Sequence, residues 1–172
     1  MSLEQGIERL NSLPRDGAEG ELLKCCGSSR WAREVASRRP FVNADELMSA
    51  ADEVWWSLDA ADWLEAFSRH PKIGERKAAG GQSRQERAWS ADEQSKMGGA
   101  DEAAREELAR LNQVYAEKFG HIFIVCATGR TPAKVLALLR GRLSNDAGAE
   151  IKVAAEEQRR ITRLRLQKLL TA

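Results

Sequence analysis

The chain has 172 residues, a length suited to one domain with a single substantial hydrophobic core. With 42% hydrophobic and 31% charged residues, its composition excludes a disordered or fibrous chain. Lys and Arg number 27 against 26 for Asp and Glu, so no net field draws it toward nucleic acid or an anionic membrane. The expectation is one globular domain over residues 1–172.

The start, Met1-Ser2-Leu3-Glu4-Gln5, has no apolar run behind a basic segment, and no later stretch approaches the roughly 18 apolar residues that span a bilayer. Cys25, Cys26 and Cys126 are odd in number and lack Cys-x-x-Cys spacing, and a disulfide between the two neighbours would be strained. The end, Leu170-Thr171-Ala172, is not a peroxisomal address. These features predict a reduced protein of the cytoplasm that does not engage a membrane.

Helical periodicity runs through almost the whole chain, which predicts an all-α fold. Asn43-Ala44-Asp45-Glu46 supplies a cap and early acids, and Leu47, Ala51, Val54, Trp55 and Leu58 follow on one stripe. Asp59 caps the next helix, whose Trp63, Leu64 and Phe67 are spaced to pack inward until Pro71 disfavours helical geometry at His70. Residues 74–87, polar and holding three glycines, read as a surface loop. Ser90-Ala91-Asp92-Glu93 then matches a capping box. A longer helix from about Asp101 carries Leu108, Leu111, Val114, Tyr115 and Phe119, and stops at Gly120. Residues 122–127 form the one short apolar run that could pass for a buried strand. Thr131-Pro132 opens a helix through Leu136, Leu139 and Leu143 that ends near Asn145. A last helix runs from about Glu150 to Leu170, with Ile151, Ala154, Ile161, Leu164 and Leu169 on or near its inner face.

Chemistry-bearing candidates are few. The two histidines, His70 and His121, share no metal-ligand spacing with other donors, and the glycine-rich phosphate loops and the Gly-x-Ser-x-Gly elbow are missing. No metal, nucleotide site or acyl-serine chemistry is expected. His70 sits where a helix ends, whose dipole favours the imidazolium while Arg69 and Lys72 oppose it. Locally it reads either as a general acid or as a surface histidine ending a helix. Ser90 and Glu93 can serve a site or simply the cap. Arg165, four residues beyond Ile161, reads as a ligand anchor or as an arginine whose stem packs while its head reaches water. Phe123, Ile124, Val125, Cys126 and Ala127 read as core, and His121 as packing.

Order adds what no local pattern carries. His70-Pro71-Lys72-Ile73-Gly74, Trp89-Ser90-x-x-Glu93-Gln94, Phe119-Gly120-x-x-Phe123-Ile124-Val125-Cys126-Ala127 and Gln158-x-x-Ile161-Thr162-x-Leu164-Arg165-Leu166 occur in succession. Together they resemble the 2-oxo-4-hydroxy-4-carboxy-5-ureidoimidazoline (OHCU) decarboxylases over nearly the whole chain. The resemblance implies a compact all-helical homodimer of that family's fold. It implies an enzyme that needs no cofactor and converts OHCU to (S)-allantoin in the last step of urate degradation. By position it makes His70 the catalytic histidine and Glu93 the principal side chain of a substrate-binding segment, and the chemistry of OHCU leads us to expect that the two form a proton-transfer pair with His70 as donor. It makes Pro71, Ser90, Ala91, Asp92, Glu93, Gln94, Phe123, Ile124, Val125, Cys126, Ala127 and Arg165 substrate-binding residues, those of 123–127 largely through backbone. His121 departs from the aromatic residue frequent in the family, which bears on pocket shape. With no hydrolase domain of the kind fused in some relatives, the chain reads as a stand-alone enzyme.

Two other readings stand beside this one. The basic run Arg159-Arg160-Ile161-Thr162-Arg163-Leu164-Arg165 fits a helical DNA-binding or protein-interaction module, against which the near-neutral balance and the interleaved Glu156 and Glu157 weigh. A decarboxylase-like relative acting on another ureido acid is the third. In all of them Trp55, Trp56 and Trp63 read as core or dimer surface.

Overall fold

A computed structural model describes residues 1–71, 83–95 and 102–172, with Gln94 described by its backbone alone. Among the described residues the elements are α1 (Leu3–Ser12), α2 (Arg15–Cys25), α3 (Ser29–Ser37), α4 (Ala44–Ser57), α5 (Ala60–Ser68), α6 (Arg84–Ser95), α7 (Glu102–Phe119), α8 (Pro132–Arg142) and α9 (Ala147–Thr171). No strand occurs among them, so the all-α expectation holds, and no helix among them is long and apolar enough to cross a membrane. The chain divides into two compact units: Met1–Ala66 with Arg159–Ala172, and Phe67–Gln158.

In the first unit local signals set the helix ends. Ser2 and Gln5 form a reciprocal capping box on α1, Ser28 accepts the Trp31 N–H at the start of α3, and Asn43 accepts that of Glu46 at the start of α4. At the other end of α1 the Arg39 guanidinium donates to the carbonyls of Leu10 (2.7 Å) and Leu13 (2.8 Å), which lack helical partners. The expected stripe of α4 is buried throughout, from Leu47 to Leu58, and the Trp31 indole on α3 donates to Ala51 O at 3.0 Å. Gly6 meets the C-terminal part of α9 so closely that a Cβ there would stand 2.6 Å from Leu170 Cα. Only glycine fits this crossing.

Asp59 caps α5 as its sequence predicts, accepting from the N–H groups of Ala61 and Asp62. Trp63 donates to Trp55 O (3.0 Å), and its ring also meets the edge of Trp56. Leu64, expected to pack inward, is 39% exposed, because Ala66 and Phe67 carry the buried side of this helix, with Trp63 half-buried.

The second unit has its core between α7, α8 and the segment that joins them. Leu108, Leu111 and Tyr115 pack with Phe123, Val125, Ala127, Val135, Leu136 and Leu139. Thr131 caps α8 with Pro132 in its first turn, and Gly120 ends α7 at φ +76°, as expected. Val114 is 40% exposed, because α7 turns Asn112 and Tyr115 inward instead. Of the run at 122–127, Phe123 to Ala127 are buried, and among the described residues it pairs with no strand.

The chief correction concerns α6. Residues 83–87, read as the end of a loop, cap and open this helix: the Ser83 N–H donates to Glu86 (2.6 Å), and Ser83 Oγ accepts the Glu86 N–H (3.2 Å). The capping box is therefore Ser83-x-x-Glu86, and Ser90 and Glu93 lie inside the helix. Two Ser-x-x-Glu patterns follow one another seven residues apart, and the helix-favouring Gln85-Glu86-Arg87-Ala88 extends the helix back to the earlier one. Residues 72–82 of the predicted loop, including Lys72, Ile73 and Gly74 of the first motif, lie outside the described residues.

Candidate active site

His70 follows the end of α5, its N–H closing the last turn on Phe67 O at 3.2 Å. The ring is half-buried, and its Nε2 lies 2.6 Å from Oε1 of Gln158, which is completely buried on α9. The preceding Arg69 pairs with Glu86 at 3.3 Å, so one carboxylate both caps α6 and ties it to the chain entering His70. Pro71 is half-buried.

On α6, Glu86, Ser90 and Glu93 are all buried. Their i, i+4, i+7 spacing puts them on one face, so the buried stripe of this helix is polar. Ala91 is exposed and Asp92 half-buried, while the Gln94 side chain lies outside what is described. A helix-interior Glu with no capping duty stays buried only where a partner or a ligand compensates its desolvation.

Glu93 stands close enough to Cys126 to act on its thiol. Burial pushes that thiol upward, Glu157 and then Glu93 adding to the rise, against the Thr128 backbone and Arg130. Glu93, and the Glu157 carboxylate that pairs with Arg130, thus lie within electrostatic reach of Cys126. Cys126 stays a neutral thiol near pH 7 and is no nucleophile.

Among the described residues the 123–127 segment has no ladder partner, so its polar groups are satisfied otherwise. Arg142 on α8 does this for one: Nη1 donates to Ile124 O (2.6 Å), Nε to Glu150 Oε1 (2.7 Å), and the guanidinium stacks 4.4 Å from the Phe123 ring centroid. Tyr115 donates its hydroxyl to the same Glu150 carboxylate, whose other oxygen accepts from Asn145 at 2.9 Å. Burial, then the bond to Glu150, push the Tyr115 phenol upward, so it remains a donor.

His121 packs. Its ring meets Phe67 (5.3 Å) and Tyr115 (5.5 Å), and Nδ1 donates to the Ile122 carbonyl at 2.9 Å.

Arg165 belongs to the first unit and is 3% exposed, so its head does not reach water as the packing reading required. It acts on Cys25 and Cys26, both buried and free of disulfides. Burial outweighs that cation, pushing the Cys25 thiol strongly up and Cys26 to about 12. In the same unit Arg159 (3.0 Å) and Arg163 (2.6 Å) both donate to Asp52 Oδ2. The basic run is thus partly neutralised and partly buried, which is not the exposed stripe that grips a phosphate backbone.

The second unit holds His70, Ser90, Glu93 and the 123–127 segment, and it also holds three groups that sequence reasoning gave no role in the site: Gln158, the Glu157–Arg130 pair, and Arg142 with Glu150 and Tyr115. The signal for Gln158 and Glu157 was their place three and four residues before Ile161, on the inner stripe. Arg142 likewise falls three residues after buried Leu139. Among the described residues, no three His, Cys, Asp or Glu side chains cluster so as to hold a metal ion.

A family model described as OHCU decarboxylase matches residues 11–167. The chain belongs to the OHCU decarboxylase family. The uric acid degradation bifunctional protein TTL of Arabidopsis thaliana is 38% identical over 154 residues, 89% of this chain and 47% of that protein. The chain thus spans about half the length of this plant relative. The 2-oxo-4-hydroxy-4-carboxy-5-ureidoimidazoline decarboxylase of Amia calva is 34% identical over 143 residues, 81% of this chain and 79% of the relative. The fold matches a crystal structure of OHCU decarboxylase obtained in the presence of (S)-allantoin, at a TM-score of 0.75 and 36% identity, over 88% of this chain and 98% of that one. Membership in the OHCU decarboxylase family accounts for the ordered motifs, which no single local pattern explained.

Proposed function

We propose that this chain decarboxylates OHCU to (S)-allantoin, the last step of urate degradation, without a cofactor. The observation that carries the reading is the buried polar stripe of α6: Glu93 lies inside the helix, within electrostatic reach of Cys126, and it belongs to a family motif. OHCU holds an imine beside the carbon that loses carbon dioxide, and this imine receives the electron pair as the carbon–carbon bond breaks. The substrate supplies its own electron sink, so the protein has to orient the carboxylate and deliver a proton to one face of the resulting enol.

In this mechanism His70 is the general acid that hands over the proton, and Glu93 is the second member of the proton-transfer pair. Pro71, Ser90 to Gln94 and Phe123 to Ala127 contact the substrate. Arg165 binds its anionic or carbonyl part. Arg165→Lys is expected to raise KM roughly tenfold with kcat little changed, because a point charge cannot reproduce a planar fork and about one charge-assisted hydrogen bond is lost. An unchanged KM would return Arg165 to a packing role.

We extend the proposal to a single catalytic domain that works as a cytoplasmic homodimer. Support comes from the uninterrupted family match, the three unpaired buried cysteines and the family resemblance. The function is tested with OHCU made in situ from urate and labelled in its carboxylate. Catalytic amounts of the chain are expected to accelerate release of labelled carbon dioxide, and a rate equal to the spontaneous one contradicts the proposal.

A further inference from the structure

We propose that Gln158 is a positioning residue that fixes the tautomer of His70: the neutral ring keeps its hydrogen on Nε2 and exchanges the reaction's proton at Nδ1. This inference rests on the reading of His70 as the proton-transfer group. Its basis is the 2.6 Å approach of His70 Nε2 to Gln158 Oε1, from an amide that is 0% exposed on α9.

An amide oxygen is only an acceptor, so the ring nitrogen facing it must carry hydrogen. A neutral imidazole has one N–H, and the partner of one nitrogen decides the state of the other. With Nε2 as donor, the lone pair lies on Nδ1. The neighbouring Glu157, one residue away, turns to Arg130 instead. Gln158 itself is uncharged, so it orients the ring without adding a negative charge that would hold it as imidazolium.

The proton balance follows. When the ring acts as base, an O–H or N–H bond of the substrate breaks, its electron pair stays on that atom, and an N–H bond forms at Nδ1. Transfer of the same proton to the enol carbon after carbon dioxide has left restores the neutral ring. Nε2–H stays on Gln158 throughout, and no oxidant or reductant takes part.

The test is nitrogen-15 NMR of the imidazoles in the whole chain, at a pH where His70 is neutral, with His121 signals identified in the spectrum of His70→Asn. The expected spectrum has His70 Nε2 in the protonated range and Nδ1 in the bare range. Gln158→Met, similar in volume but with no acceptor, is expected to mix the tautomers and lower kcat about tenfold with KM within about twofold. Gln158→Glu restores an acceptor and the Nε2–H state. A wild-type ring protonated on Nδ1, or a folded Gln158→Met with unchanged tautomer and kcat, overturns the proposal. Should Gln158→Met fail to fold, the wild-type and Gln158→Glu spectra decide. The spectra need no substrate. An Nε2–H ring together with a fully active His70→Asn variant would therefore remove His70 from the chemistry while leaving the tautomer assignment intact.

Discussion

Replacing His70 by Asn lowers the rate of carbon dioxide release by about 10²–10⁴, the usual span of general acid–base assistance. The product that still forms loses its handedness, because protonation from water can reach either face of the enol. Asn keeps a polar group near Gln158 but cannot carry the proton. Stability changes little, since His70 lies beyond the last turn of α5 and its ring is only half-buried. Parallel melting curves and steady-state rates check this, and normal turnover in a folded His70→Asn variant sinks the assignment of the proton donor.

A second large effect is expected in the buried ionic network of the second unit. Arg142→Met removes the cation that meets Glu150, Ile124 O and the Phe123 ring. Glu150 is fully buried, and stranding its carboxylate costs about 3–5 kcal/mol. For a chain of this size that is a fall in Tm of roughly 6–20 °C. Arg142→Met with Glu150→Leu removes both charges and recovers part of the loss, since a buried ion pair replaced by apolar groups is nearly neutral. Recovery stays incomplete because Tyr115, Asn145 and the Ile124 carbonyl each lose a partner. A single variant as stable as the wild type would show that the network carries no weight in the second unit.

The legible parts of this fold were those with local causes. α4 is announced by Asn43 and by a 3.6-residue stripe, and α8 by Thr131-Pro132; both caps and stripes act within one or two turns. The start of α6 was misplaced because Ser83-x-x-Glu86 and Ser90-x-x-Glu93 carry the same local chemistry. Tertiary burial of the second pair, which no short window contains, chooses between them. Polar partners were harder still. Gln158 lies 88 residues from His70 in sequence, and Glu150 lies 35 from Tyr115. A buried polar side chain on an apolar stripe announces that it needs a partner but not which one. The candidate site was therefore legible as an ordered set of family motifs, whereas the groups that hold its members in place emerged only from the fold.

The central claim is that this chain makes (S)-allantoin from OHCU by protonating one face of the intermediate. Circular dichroism of the product formed from freshly generated OHCU tests it most directly. The account predicts that catalytic amounts of the chain bring the (S)-allantoin signal up faster than the uncatalysed reaction and to an enantiomeric excess. Racemic allantoin appearing at the spontaneous rate would contradict it.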